Sequence, residues 1–576
     1  MNLGKTKSAF DQYGYSDVNG VQNYGVFKYD VKNKVNDFIG YGRYIAIEQV
    51  NRDIDGGERV ITIGYDDIYG QHETIDVDRE CLGKKGELQS RLLALGADVV
   101  GPSINVLLGC LRQSEQTAEQ GECFHRTGWL FDKYVDDDGE PYIEQQFKGG
   151  YLIAKNIQPR EIRYVGAYDL CKKGTFSDWK AMILERVIGT VPLEVAVLIG
   201  LSSIISSGWG ARNLIFHLMG DSGKGKTTSA ILAISVAGCP NPTETATRLN
   251  FKGKPMRSLL SSWRGTANAL TAKLDGLDGT LMVFDELSKL EDSRVLHSTI
   301  YTISDGADKD RMESATELLR TGMFRTNVLS LGEESLIKKV PVKNTGINVR
   351  VCELSGEFTT SPEQSEAIVQ GCYENYGHAA VRFARYIVEH LSYEAVAKVR
   401  ERNLDEYTEA LVAAGCPSET PRRLAEFGAV LLTVADIAEE ALGIQFSREK
   451  VKSYLVDQQA GTEQNQDIGL RAHEALRGFV NTYVANFVTG GEVNWGKSIP
   501  CYGRIDVLKD GVTREVSIET SEFPKIMERL GFNNADLVIQ RLKAHGLLNS
   551  EAKKNYRKRT ITKATGIVRA YVVILP

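Results

Sequence analysis

The chain of 576 residues has no surplus of positive charge: 69 Lys and Arg stand against 75 Asp and Glu, a net charge of -6. No chain-wide basic field exists to hold nucleic acid, so any DNA contact must be local. The nine cysteines are scattered, at positions such as Cys81, Cys110, Cys123 and Cys171, with no C-x-x-C pair and no Cys/His group at zinc spacing. They predict reduced, mostly buried thiols in a cytoplasmic protein. The start, Met1-Asn2-Leu3-Gly4-Lys5, lacks the apolar core of a signal peptide. The one run of membrane-spanning length, Val187 to Ser206, is broken by Pro192, Glu194 and several Ser and Gly residues, and reads as a buried helix with no membrane partner. No repeat of 20 to 50 residues is evident, and no nuclease or primase motif is present.

What is present is an ordinary globular composition, 42% hydrophobic and 25% charged, which excludes a disordered or fibrous chain. At roughly 150 residues per domain the length corresponds to about four folding units. Residues 1 to 40, rich in Gly, Tyr, Asn and Asp, read as a loose arm or an edge hairpin. From 41 to 170 short apolar runs such as Tyr44-Ile45-Ala46-Ile47 and Arg59-Val60-Ile61-Thr62-Ile63 alternate with turn signals, predicting a β-rich domain with one helix near Lys85 to Leu95. A helical connector over 171–211 leads into strands alternating with helices over 212–360, the pattern of a parallel α/β sheet. Residues 361–460 are helical by period, Gly461 to Asp467 read as a polar linker, and 468–576 form a last unit ending in a helix–turn–helix-like stretch.

Gly220-Asp221-Ser222-Gly223-Lys224-Gly225-Lys226-Thr227 satisfies the P-loop pattern G-x-x-x-x-G-K-[ST]. The strand Leu214 to Met219 feeds the loop, and the small and apolar run from Thr228 to Val236 continues it as a helix. Glycines let main-chain N–H groups converge on phosphate oxygens, and the helix N-terminus adds partial positive charge. Lys226 is then the partner of the β and γ phosphates of ATP, and Thr227 a ligand of Mg²⁺. A second apolar strand, Leu281 to Phe284, ends in Asp285-Glu286. There a P-loop ATPase places a magnesium-organising Asp and a water-activating Glu.

Other residues carry open readings. Ser330, near the end of the strand Asn327 to Leu331, is a candidate contact for the γ-phosphate or attacking water, or else a helix cap. Arg350, in Gly346-Ile347-Asn348-Val349-Arg350, is a candidate finger reaching a neighbouring subunit's ATP, or else a surface salt bridge. Lys309 and Arg311, in the charged stretch Ser304 to Arg311, fit a hairpin gripping single-stranded DNA in a central channel, or a solvated loop. Near the C-terminus two helices, Ser521 to Leu530 and Asn534 to His545, precede the expected wing strands Leu547-Leu548 and Ile567 to Leu575. Their connection holds Lys553, Lys554, Arg557, Lys558, Arg559 and Lys563 against the single acid Glu551. This fits a winged helix on duplex DNA, or one used for protein contacts.

The sequence resembles the phage, plasmid and genomic-island family called domain of unknown function 927. The resemblance covers most of residues 40 to 400 and rests on His125-Arg126-Thr127-Gly128-Trp129, the P-loop block, Ser262 through Leu270, Asp285-Glu286, Gly306 through Arg311, Leu329-Ser330-Leu331-Gly332-Glu333, and Gly346 through Arg350. It implies helicase-type ATPases, some of them hexameric self-loading replicative helicases of mobile elements. Some members are described as inactivated; here Lys226, Thr227, Asp285 and Glu286 are all present, which argues against loss of hydrolysis. The departure is Ala307-Asp308 before Lys309, where small or basic residues are expected.

The expected fold class is α/β: a P-loop ATPase core on a parallel sheet, with a β-rich N-terminal domain, a helical segment and a C-terminal winged helix. The expected function is an ATP- and Mg²⁺-dependent DNA helicase or translocase, a homo-hexamer serving a phage or mobile element. The phosphate-binding set is Gly220 through Thr227 with Thr228; Thr227 and Asp285 hold the metal; Lys226, Asp285, Glu286, Ser330 and Arg350 act in catalysis. The alternatives are a nucleotide-switched initiator or loader that does not unwind, and the ATPase component of a phage-defence system.

Overall fold

Runs of Val, Ile, Tyr and Phe punctuated by Gly and Asp set a series of short strands along the first third of the chain. In the computed structural model they are β1 Gln12–Val18, β2 Val21–Asp30, β3 Val35–Gly42, β4 Ile45–Asp53, β5 Arg59–Asp66, β6 His72–Asp78, β7 Glu119–Phe124, β8 Gly128–Val135, β9 Pro141–Lys148, β10 Leu152–Ile153 and β11 Arg163–Tyr164. The structure describes residues 12–18, 21–30, 35–99, 104–135, 141–155, 162–210, 212–250, 254–290, 292–306, 311–312, 318–319, 323–340, 345–416, 421–466, 468–489, 499–509, 511–532, 534–551 and 554–576. Where the composition of residues 1–40 reads as an arm or edge hairpin, β1, β2 and β3 form a three-stranded antiparallel sheet.

A five-stranded sheet in the order β11-β7-β4-β5-β6 forms the body of this region, and β8, β9 and β10 form a separate three-stranded sheet. Two helices cover the larger sheet, Lys85–Ala94 and Ile104–Glu115. The second is absent from the sequence reading; it buries Val106, Leu107, Leu108, Cys110 and Leu111 in one cluster with Ile45, Ile47, Ile61 and Ile63.

The block His125 to Trp129 leads into β8 and docks it on the rest of the chain. His125 Nδ1 lies 2.5 Å from Asp53, and Arg126 pairs with Asp275 at 3.0 Å. Thr127 donates its N–H to Gly276 O at 3.0 Å and accepts from Asp278 N at 2.9 Å. Trp129 Nε1 donates to Ile204 O at 2.8 Å. Gly128 has φ 112°, and a Cβ there would stand 2.4 Å from that of Asp278. Only glycine meets both constraints.

The helix Val191–Trp209 is, among the described residues, the one long and apolar enough to cross a membrane, and most of it is buried. Its polar groups are answered inside the protein. Glu194 accepts from Gly189 N at 2.8 Å and Ser447 N at 2.6 Å, while Ser202 and Ser206 accept from Asn327 Nδ2 at 2.8 and 2.9 Å. It serves as the buried helix under a five-stranded parallel sheet built from β12 Ile215–Met219, β13 Leu260–Ser262, β14 Met282–Asp285, β17 Val328–Gly332 and β18 Val351–Ser355, in the order β13-β14-β17-β12-β18. Between β14 and β17 lies the small hairpin of β15 Arg311–Met312 and β16 Leu318–Leu319.

Five helices follow, Pro362–Glu374, Ala379–His390, Tyr393–Ala413, Pro421–Leu442 and Arg448–Gln466. The last corrects the expected linker: the chain stays helical from Gly461 to Gln466, because Glu and Gln propagate a helix. The C-terminal unit opens with the helix Ile468–Thr482 and carries β19 Phe487–Thr489, β20 Gly503–Val507, β21 Arg514–Glu519, β22 Arg557–Thr560 and β23 Ile567–Leu575, in the order β19-β20-β21-β23-β22. Its helix pair is Phe523–Arg529 and Ala535–Ala544. The wing also differs from expectation. Leu548 makes only a single bridge to Val573, and the first wing strand is β22, so Arg557, Lys558 and Arg559 lie on a strand rather than in a connection.

Candidate functional site

In parallel α/β sheets ligands gather outside the carboxyl ends of the strands. At that end β12 runs into the loop Gly220 to Gly225, and the helix Lys226–Ser235 starts from it. Gly223 and Gly225 have φ 80° and 84°. A Cβ on Gly225 would meet Thr359 Oγ1 at 2.6 Å, whereas Gly223 faces open space. The loop is thus glycine for two reasons, handedness and close approach. Lys226 Nζ donates to the carbonyl oxygens of Gly220 and Asp221 at 2.6 and 2.7 Å. Lys224 pairs with Glu357 at 2.5 Å. Thr228 Oγ1 lies 2.5 Å from Ser365 Oγ.

The loop faces Asp285 and Glu286 across a cleft of about 440 Å³, lined by Ser222 through Thr228, by Asp285 to Ser288, and by Gly332, Glu333 and Ser365. Seven of the nine predicted phosphate-binding residues, Ser222 through Thr228, therefore share one cavity with the acidic pair, and the other two, Gly220 and Asp221, hold Lys226 through their carbonyl oxygens. Burial pushes the Asp285 carboxyl above the usual range, so a cation brought beside it would favour the ionised form. Glu286 has φ 56° and ψ 67°, the only non-glycine residue at positive φ among the described residues. Such strain of order 1–3 kcal/mol clusters where a side chain has to be aimed. The Glu286 carboxylate is paired with Lys289.

Ser330 is placed differently from its expectation. It lies two residues short of the strand end, fully buried, with Oγ bound to His217 Nδ1 and Trp263 Nε1, each at 2.9 Å. The cleft wall at that strand is Gly332-Glu333. A polar residue read from sequence as a strand tip proves to be an interior one, because β17 extends to Gly332. Arg350 precedes β18 at the opposite end of the sheet from the cleft. It packs 3.9 Å over the Tyr301 ring and donates to Gly346 O at 2.9 Å.

The DNA-contact candidates divide. Lys309 and Lys553 lie outside the described residues, and Arg311 is paired through its backbone with Leu319 in the β15–β16 hairpin. On the wing Lys554 pairs with Glu551 at 3.1 Å and Arg559 with Glu515 at 3.1 Å. Lys558 is exposed and stands directly opposite Arg569 on β23. Like charges facing each other across strands are unfavourable in isolation and favourable beside a polyanion. Arg569 also lies 5.1 Å over the Tyr556 ring. Sequence reasoning assigns no role to Ser365, His217 or Arg569, which are placed by contacts between distant segments, and it names Trp263 and Glu333 only within the blocks that carry the family resemblance.

No curated protein matches the chain. Among solved structures, one described as SCCmec type IV Cch, active helicase, superposes with a TM-score of 0.70 at 22% identity, covering 99% of this chain and 98% of that one. The two share a fold. Residues 467–576 match the family described as Cch helix turn helix domain. Residues 17–323 match the family described as Domain of unknown function (DUF927), and the chain belongs to that family.

Proposed function

We propose that the protein is a Mg²⁺-dependent ATPase that moves or unwinds DNA, working as a homo-hexameric ring for a phage or mobile element. The observation that carries this reading is the meeting of Lys226 and Thr227 with Asp285 and Glu286 in one cleft. The C-terminal match to a helix–turn–helix family and the shared fold with a protein described as an active helicase support the DNA side of it.

The cleft residues fit ATP: the open face at Gly223 leaves room for phosphate, and the main chain leading into the helix Lys226–Ser235 presents N–H groups toward it. Thr227 and Asp285 are the residues to hold Mg²⁺, which supplies positive charge to the phosphate oxygens. Lys226 exchanges its two carbonyl partners for phosphate oxygens. Glu286, released from Lys289, orients a water and takes its proton as the water oxygen bonds to the terminal phosphorus and the bond to the oxygen bridging the β and γ phosphates breaks, with ADP as the leaving group. Arg350, at the far end of its own sheet, serves the site of a neighbouring subunit. Ser330 acts from beneath the cleft rather than in it. Lys309 and Arg311 grip single-stranded DNA in the ring channel, and Lys553, Lys554, Arg557, Lys558 and Arg559 form the duplex face of the wing.

ATP hydrolysis measured with and without single-stranded DNA tests the reading. Mg²⁺-dependent turnover that rises with DNA supports it; a folded, assembled protein that never hydrolyses ATP overturns it.

A further inference from the structure

Below the cleft, three polar residues form one cross-strand row: Ser330 on β17 pairs with His217 on β12, and His217 with Glu353 on β18. All three are buried. Polar groups in the middle of a parallel sheet are costly unless each is hydrogen-bonded, and here the bonds have a single direction. The Glu334 carbonyl can only accept, so His217 Nε2, 2.9 Å from it, carries the ring proton. Burial pushes the imidazole pKa down and keeps it neutral, so Nδ1 accepts, and the Ser330 hydroxyl donates to it. Ser330 Oγ in turn accepts from the Trp263 indole N–H, which can only donate.

Both ends of this chain are anchored at the cleft. Trp263 donates its main-chain N–H to Asp285 O at 3.1 Å and packs against Phe284, with ring centroids 5.0 Å apart and the planes tilted by 40°. At the other end His217 holds the turn Gly332 to Glu334, and a Cβ on Gly332 would stand 2.9 Å from the imidazole. Glu353 steadies the far side of that turn by accepting from the Ser335 hydroxyl at 2.8 Å and Ile337 N at 3.0 Å.

We propose that Trp263, Ser330 and His217 are positioning residues that fix the Gly332-Glu333 wall at a set distance from Asp285 and Glu286. None of the three lines the cleft; they act through the strands that do. The inference rests on the nucleotide reading of the cleft.

The test is Trp263→Phe, which keeps an aromatic ring against Phe284 and deletes the indole N–H, alongside Ser330→Ala and His217→Gln. ATP hydrolysis and thermal melting are measured on each, with wild type and Lys226→Ala as controls. The expected result is kcat lowered about tenfold or more in Trp263→Phe and Ser330→Ala, with KM for ATP nearly unchanged and melting temperatures close to wild type. His217→Gln, which keeps a donor and an acceptor, is expected to fall less than either. Unchanged kcat in folded variants overturns this inference alone. A fall in kcat that tracks loss of folded protein also overturns it, since the chain would then be only structural. A wild type that hydrolyses no ATP overturns it together with the reading of the cleft.

Discussion

Lys226 Nζ donates to the carbonyl oxygen of Gly220 at 2.6 Å, so the ammonium is folded back on the loop that carries it. The loop holds its own phosphate-binding charge in place before any phosphate arrives. Lys226→Ala removes a charge-assisted donor worth about 1.5–3 kcal/mol, so affinity for ATP should fall by about tenfold to a hundredfold. Glu286→Gln keeps the shape and loses the base; ATP binding should persist while hydrolysis falls about 10²–10⁴-fold. Titration with a fluorescent ATP analogue, beside a phosphate-release assay, separates the two. Equal loss of binding in both variants would reject the division of roles.

Arg350 lies at the end of the sheet away from its own cleft, so its service is expected in trans. Arg350→Ala should abolish hydrolysis while leaving ATP binding intact, at a stability cost of about 1 kcal/mol for the lost Tyr301 contact. Mixing Arg350→Ala with Lys226→Ala subunits should restore part of the activity, because some interfaces then pair an intact loop with an intact arginine. Mixtures no more active than either variant alone would remove Arg350 from catalysis.

Within the proposed duplex face of the wing, Lys554 and Arg559 have their charge offset by Glu551 and Glu515, so they should contribute less than Lys558 and Arg569, which face each other. Lys558→Glu and Arg569→Glu should each weaken duplex binding severalfold and lower the salt slope by about one, whereas Arg559→Ala, released from Glu515, should change it little. Fluorescence anisotropy across a salt series measures this. A larger loss in Arg559→Ala than in Arg569→Glu would contradict the assignment.

The His125 to Trp129 block predicts a pH-dependent joint. The hydrogen bond to Asp53 raises the His125 pKa above its ordinary 6.5. A group whose pKa is raised by folding adds stability that is full below its unfolded pKa and is lost as pH rises through the raised value. The melting temperature of wild type should therefore decline as pH rises above the ordinary histidine range and through the raised value, and the slope should flatten in His125→Gln. Parallel slopes would exclude this pair as the cause. Gly128→Ala, with its strained φ and its clash at Asp278, should cost about 2–3 kcal/mol at any pH.

How much of this was legible in the sequence depends on how far apart the partners lie. The loop Gly220 to Thr227 and the pair Asp285-Glu286 were legible because each is a local motif on a strand end, and the structure brings them into one cleft. The Trp263, Ser330 and His217 contacts join residues far apart in the chain through strand order, with β17 between β14 and β12, and no periodicity encodes that order. Ser330 reads as a strand tip and lies in the interior because β17 runs on to Gly332. The basic run Arg557-Lys558-Arg559 read as a loop by its charge, yet pairing with β23 makes it a strand. The helix Ile104–Glu115 is not legible by period, because its buried residues Val106-Leu107-Leu108 and Cys110-Leu111 form a short apolar run that periodicity does not separate from a buried strand.

Strand displacement on a forked DNA duplex, with ATP and Mg²⁺ under conditions where the protein assembles, tests the central claim most directly. Wild type should separate the strands, and Lys226→Ala and Glu286→Gln should not. A wild type that hydrolyses ATP, binds the fork and leaves it intact would contradict the helicase account and favour a nucleotide-switched DNA-binding protein.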